Sequence, residues 1–362
     1  MRHLELFAGI GGFRRAMDLL TQDHIMNFHC VGYSEIDLKA VTTYCANFRP
    51  ELDEEVAMGD IVEFTKNTEN IENLPDFDLL TGGFPCQTFS MMGKQAGFNE
   101  DRGQMFFRII DILAARRPRY VLLENVKNLK SHDKGNTFKV IWETLTQDLG
   151  YTCSYRIIDG QSWVPQHRER IVIVGFKNKI DFSLDDMILP PKGEIKLGSI
   201  LHKTDGTEPR LPQDGDKYFD FENNKVLDKY TLTDNLWAYL QAYAQKHRSM
   251  GNGFGYGLVN ENDIARTLSA RYYKDGSEIL ISQGEGKNPR RLTPRECARL
   301  MGYPDDYVIP VSDTRAYKQF GNSVVVPLFH AVAEYIKPYL MEEIEKESAK
   351  VERIYAEKGI AI

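Results

Sequence analysis

Short apolar runs alternate with amphipathic stretches through the first half of this chain. The runs Leu4–Phe7, His29–Ser34, Asp78–Thr81, Tyr120–Glu124, Thr152–Ile158 and Ile171–Phe176 read as strands. Between Gln104 and Arg116 the residues Met105, Phe106, Ile109, Ile110 and Leu113 recur at helical spacing, and Pro118 ends the pattern. Strands alternating with helices predict an α/β fold, a doubly wound and mostly parallel sheet covered on both faces, with ligands outside the carboxyl ends of its strands. After Phe176 the pattern decays into Leu189-Pro190-Pro191-Lys192-Gly193 and Asp205-Gly206-Thr207-Glu208-Pro209, a linker into a smaller, irregular, mostly-β region. A long amphipathic helix returns from Val324 to about Glu357. The expected division is residues 1–182, a second unit over 183–312, and a return to the first over 313–362.

At 362 residues the chain exceeds a comfortable single core, which agrees with a large unit and a smaller companion. No uninterrupted apolar stretch of about 18 residues exists, and Glu5 breaks the first apolar run, so a soluble, cytoplasmic protein is expected, away from membranes; a monomer is expected as well. Five scattered cysteines with no Cys-x-x-Cys pair predict neither a disulfide framework nor a metal site. The net charge of −7 argues mildly against a nucleic-acid partner. Between Gln245 and Leu300, however, Lys246, Arg248, Arg266, Arg271, Lys274, Lys287, Arg290, Arg291, Arg295 and Arg299 outnumber the acids, so one face can be basic.

Candidate chemistry clusters at the strand ends. The tetrapeptide Phe84-Pro85-Cys86-Gln87 follows an apolar run and Gly82-Gly83, as a strand delivering a cysteine to a turn would. Glu124-Asn125-Val126 closes the next run, and Gln166-His167-Arg168-Glu169-Arg170 precedes the one after. Taken singly, a cysteine is more often a small buried apolar residue and a glutamate a surface acid; three such groups at successive strand ends are less easily coincidental. Phe7-Ala8-Gly9-Ile10-Gly11-Gly12 lies between a strand and a helix, where glycines allow a tight turn and close approach of a ligand, although it lacks the full dinucleotide spacing. Glu35 ends the second strand and can bind ribose hydroxyls, and Asp60 can accept from an exocyclic amine.

From Phe7 to Gly12 near the start to Gln319-Phe320-Gly321-Asn322-Ser323 near the end, these segments, in this order, resemble the cytosine-5 DNA methyltransferase family of bacterial restriction–modification type. The resemblance implies a catalytic, S-adenosylmethionine-binding domain over 1–182, a target-recognition domain over 183–312 and a C-terminal return. It implies S-adenosylmethionine as methyl donor, without a metal, at Phe7, Gly9, Ile10, Gly11, Gly12, Glu35, Ile36, Asp60, Ile61, Met105, Asn322 and Val324. Cys86 then attacks carbon 6 of cytosine, Glu124 acts as a protonated carboxyl at ring nitrogen 3, and Arg170 lies near the base carbonyl. Arg168 is expected to order the loop around Cys86, and both arginines to favour its thiolate.

Duplex DNA is expected at Phe84, through its main-chain carbonyl, and at Pro85, Gln87, Ser90, Lys94, Arg102, Thr267 and Arg271. Ser90 to Gly103 resembles the family's mobile active-site loop, although Met92 stands where a family member has a small polar residue. Thr267-Leu268-Ser269 resembles the family's Thr-Leu motif beside the target phosphate, with Arg271, Tyr272 and Lys274 as neighbouring base readers. The Gly251–Gly257 and Arg266–Ile281 segments resemble those of members that recognise CC-containing palindromes such as CCGG or CCWGG. The implied function is flipping of a cytosine from duplex DNA and methylation at carbon 5, in a nucleoid-associated protein that is either a solitary methylase or one with a separately acting cognate endonuclease. Methylation of transfer RNA and a catalytically silent DNA-binding relative are the rival readings; a nicotinamide oxidoreductase leaves Phe84–Gln87 unexplained.

Overall fold

The structure, a computed structural model, describes residues 1–50, 54–85, 105–253 and 255–340. Its main sheet has seven strands: β1 Arg2–Leu6, β2 His29–Tyr33, β3 Val56–Ala57, β4 Leu79–Gly83, β5 Tyr120–Val126, β6 Thr152–Asp159 and β7 Glu169–Phe176. The order is β3-β2-β1-β4-β5-β7-β6. Pairing is parallel from β3 to β5, whereas β7 runs antiparallel to both β5 and β6.

Side-chain alternation covers both faces. Leu4, Leu6, Leu80, Val121, Leu123, Ile171 and Ile173 share one core with α3 (Ile61–Thr65), α4 (Thr68–Glu72), α5 (Met105–Arg116) and α6 (Asn136–Glu143). Leu79, Tyr120, Leu122, Val172 and Val174 share another with α1 (Gly12–Gln22), α2 (Leu38–Phe48) and a helix over residues 326–340. In β1 the residues alternating with Leu4 and Leu6 are His3 and Glu5, both fully buried. His3 Nε2 lies 2.7 Å from Thr81 Oγ1. Glu5 accepts from the Arg14 amide in the first turn of α1 (3.3 Å), and burial pushes its carboxyl up to about 8.

The smaller region carries five two-residue strands, β8 Phe219–Asp220, β9 Lys225–Val226, β10 Leu258–Val259, β11 Leu280–Ile281 and β12 Arg290–Arg291. It also contains a helix that the apolar pattern did not lead us to expect, α7 (Asp234–Ser249), capped by Thr233 and docked through Leu240 and Ala244. Then follow α8 (Pro294–Leu300) and α9 (Asp313–Asn322). Tyr218, Tyr230, Leu268, Tyr272 and Leu292 belong to the same apolar cluster as Tyr44 and Leu122, so this region shares a core with the sheet.

Four arginines of the expected basic stretch are structural. Arg295 is fully buried on Asp214 (2.6 Å), Arg290 forks onto Glu296 (2.7 and 2.8 Å), Arg299 pairs with Glu208 and Asp305, and Arg291 lies over the Tyr317 ring. Among the described residues no helix is long and apolar enough to cross a membrane.

Candidate active site

At the carboxyl ends of β1, β4 and β5, residues of the first glycine turn, 35–37, 83–85, 124–126, 267–270 and 318–324 enclose a cavity of about 550 Å³. One wall is the turn after β1. Phe7 takes a left-handed backbone (φ 55°), a strained conformation for a bulky residue, with its amide held by Ser34 Oγ at 3.1 Å. The amide of Gly9 donates to Glu35 Oε2 (2.8 Å), and that of Asp37 donates to Glu35 Oε1 (2.7 Å). Glu35 thus ties the β1 and β2 turns together, and a carboxylate with four acceptor positions keeps capacity for a hydroxyl. Ile36, 68% exposed, offers an apolar surface beside it.

Across from the turn lie Asn322 and Val324. A Cβ added to Gly12 would meet Val324 Cγ2 at 2.6 Å and Ser323 Oγ at 2.9 Å, so only glycine lets these walls approach. Lys318 pairs with Asp37 at 3.2 Å across the cavity rim. The glycine cradle, a hydroxyl-accepting acid and an exposed apolar side chain together fit a nucleoside cofactor such as S-adenosylmethionine.

The other end of the cavity holds Glu124 and Arg170. Glu124 Oε1 lies 2.8 Å from Arg170 Nε. Burial raises the Glu124 pKa, and Arg170 and Arg168 oppose that shift. Arg170 reaches this edge because β7 is antiparallel: its second residue pairs with Val126 at the end of β5. Asn125, 2% exposed, donates from Nδ2 to the Phe84 carbonyl at 2.7 Å. That carbonyl is the one expected to face the base.

The loop around Cys86 that Arg168 is expected to order lies outside the described residues. Arg168 itself is 2% exposed and donates to the carbonyls of Leu268 (2.8 Å), Gly321 (3.0 Å) and Ser323 (2.7 Å). Among the described residues it therefore joins the 267–270 segment to the C-terminal return. Burial lowers its pKa to about 9, which leaves it cationic at neutral pH. Gly321 completes the seam, since a Cβ there would overlap the Ser269 carbonyl.

Phe7, Gly9, Ile10, Gly12, Glu35, Ile36, Phe84, Pro85, Glu124, Arg168, Arg170, Thr267, Asn322 and Val324 all line the cavity. Gly11, Asp60, Ile61, Met105 and Arg271 are not among its described lining. Gly11 packs against Phe48. Asp60 caps α3 by accepting from the Val62 amide (2.8 Å), Ile61 is buried in the sheet core, and Met105 begins α5. Arg271 is exposed. Tyr272 cannot read a base from its position, being fully buried with its hydroxyl bonded to Ile279 O and the Leu292 amide. Thr267 donates to His167 O at 2.5 Å. Cys86, Gln87, Ser90, Lys94 and Arg102 lie outside the described residues.

Asn125, Ser269, Lys318 and Ser323 line the cavity without having been singled out for it, although each sits inside or beside a quoted motif. The family profile described as C-5 cytosine-specific DNA methylase matches residues 1–338. The chain is 43% identical over 356 residues to the Type II methyltransferase M.DsaV of Dactylococcopsis salina, covering 97% of this chain and 90% of that one. It is 41% identical over 399 residues to the DNA-cytosine methyltransferase of Escherichia coli K12, covering 95% of this chain and 79% of that one. Among solved structures, the fold matches S. pombe Dnmt2 methyltransferase at TM-score 0.67 with 19% identity, covering 94% of this chain and 99% of that one. The Entamoeba histolytica methyltransferase EhMeth matches at 0.70 with 20% identity, covering 94% and 98%. With a sheet, a glycine turn and a buried Glu124–Arg170 pair in keeping with that match, this chain belongs to the C-5 cytosine-specific DNA methylase family and is a DNA (cytosine-5)-methyltransferase.

Proposed function

We propose that the enzyme flips a cytosine out of a short specific sequence in duplex DNA and methylates it at carbon 5, as the modification half of a Type II restriction–modification pair. The observation that carries the mechanism is the buried Glu124 carboxyl beside Arg170, facing the glycine turn across one cavity. S-adenosylmethionine, when bound, supplies an electrophilic methyl group. The turn from Phe7 to Gly12, Glu35, Ile36, Asn322 and Val324 would hold it.

The Cys86 thiolate adds to carbon 6, forming a carbon–sulfur bond and pushing an electron pair into the ring. Glu124 holds its proton at ring nitrogen 3, where charge builds, and Arg170 faces the carbonyl oxygen. Carbon 5 takes the methyl group, its own hydrogen leaves as a proton to water, and the carbon–sulfur bond breaks to free the thiolate. The Phe84 carbonyl, oriented by Asn125, accepts from the exocyclic amine and selects cytosine. Region 183–312 serves as the recognition domain, and its segments over 251–257 and 266–281 favour a CC-containing palindrome.

Bisulfite sequencing of mixed-sequence duplex incubated with enzyme and cofactor tests this reading. Protection within one short motif is expected; modification of transfer RNA alone would overturn it. Two further outcomes are expected. Glu124→Gln should slow single-turnover methylation by about 10²–10⁴-fold. The raised pKa keeps the wild-type acid protonated at higher pH than an ordinary carboxyl, so its rate falls as pH rises through that pKa, a limb the variant lacks. An unchanged rate would remove Glu124 from the mechanism. Gly12→Ala should weaken S-adenosylhomocysteine binding by about tenfold, since overpacking of this kind costs roughly 1–3 kcal/mol; calorimetric affinity equal to wild type would show that Val324 yields.

A further inference from the structure

Residues 235–260 contain no Asp or Glu, in a chain with 52 acids among 362 residues. This stretch comprises α7 after its first residue, the glycine-rich segment that follows, and β10. On α7, Tyr239, Tyr243 and His247 stand one turn apart in a row, with ring centroids 6.1 and 4.3 Å apart. Tyr239 is 60% exposed and Met250, just past the helix, 56%. Lys246 and Arg248 are exposed in the last turn, and neither forms an ion pair among the described residues. Cations there complement the helix dipole, which is reason enough for two of them; it does not account for an exposed tyrosine row or for the absence of acids.

Through its docked side α7 is linked by packing to the cavity wall. Gly255 packs against Ala244 of α7, where an added Cβ would lie 3.2 Å from the Ala244 Cβ. The Gly257 amide donates to Ser277 O (2.8 Å), and Gly257 O accepts from the Leu280 amide (2.7 Å). Between those two, Glu278 accepts from Ser269 Oγ, and Ser269 lines the cavity. Arg266 and Arg271, both exposed, flank that cavity segment.

Resting on the proposed function, we propose that α7 is a sequence-independent docking rail for duplex DNA flanking the target site, with Lys246 and Arg248 on phosphates and Tyr239 and Tyr243 along the sugar–phosphate edge. Sixteen residues of helix span about 24 Å, roughly seven base pairs. Charge selects the occupant: an acid-free basic face on a chain of net charge −7 suits a polyanion already held next door.

The test uses duplexes of about 12 and about 30 base pairs centred on the mapped site, with affinity read by fluorescence anisotropy across a salt series in the presence of S-adenosylhomocysteine. The double variant Lys246→Ala/Arg248→Ala is expected to bind the long duplex about tenfold more weakly at low salt, and its log–log salt slope should be shallower by about 1.8, the value for two lost phosphate contacts. The short duplex should be bound as by wild type. Lys246→Glu/Arg248→Glu should enlarge the same length-dependent loss. Equal losses on both lengths, or none on either, would overturn the rail. Wild-type enzyme that methylates the mapped site keeps the proposed function intact in that event, whereas failure to methylate any duplex would sink the function itself.

Discussion

Cys86→Ala is expected to reduce methylation to background while S-adenosylhomocysteine still binds with wild-type affinity. Cytosine carbon 5 is a poor nucleophile until a group adds at carbon 6, so deleting the thiol removes the step that creates the methyl acceptor. On the proposed mechanism, Glu124 and Arg170 stabilise charge that this addition creates. Their loss is therefore expected to slow the reaction, and loss of the thiol to end it. The check is single-turnover transfer of labelled methyl to duplex DNA, paired with calorimetric cofactor binding. Substantial residual methylation with intact binding would rule out covalent catalysis by this residue.

Arg168→Met is expected to lower folding stability by about 3–5 kcal/mol, because it leaves the carbonyls of Leu268, Gly321 and Ser323 without their donor inside the protein. Methionine fills similar volume, so the loss is mainly polar. Some of it is offset, since a buried cation with no hydrogen-bonded carboxylate among the described residues is itself costly. The carbonyls belong to two segments that meet closely at Gly321 and Ser269, so the variant should also weaken cofactor and DNA binding together. Arg168→Lys should recover only part of the stability, as an ammonium cannot reproduce the planar fork across two segments. Urea unfolding checks this; a change under about 1 kcal/mol would show that the seam holds without the guanidinium.

Much of this site is legible in the linear sequence because parallel α/β sheets gather chemistry at strand ends. Phe84, Glu124 and the glycine turn could be placed from apolar runs and the motifs that end them. Arg170 could be set near the base by the family resemblance but not by the strand pattern: a residue before a strand lies at the far edge of a parallel sheet, and only the antiparallel turn of β7 brings it to Glu124. Asp60 shows what a sequence leaves unsaid, since its Oδ1 caps α3 while its other oxygen keeps capacity for an amine, and nothing local reveals the first role. The basic stretch misleads through counting. Arg290, Arg295 and Arg299 find acids far away or across a turn, while Lys246 and Arg248 stay exposed, and tertiary pairing alone decides which is which. Glu5 looked like a mere interruption of an apolar run; it is a buried acid under α1.

The cavity's two facing walls, residues 7–12 and 318–324, stand some three hundred positions apart along the chain. During synthesis at roughly 5–20 residues per second, the first wall waits tens of seconds for the second. A nascent chain released before Gly321 has emerged would carry the glycine turn and the sheet without a closed pocket, and its exposed apolar face would need shielding until α9 arrives. Methylating capacity would therefore switch on only once residues 318–324 have emerged rather than build up along synthesis, because neither wall alone encloses the pocket.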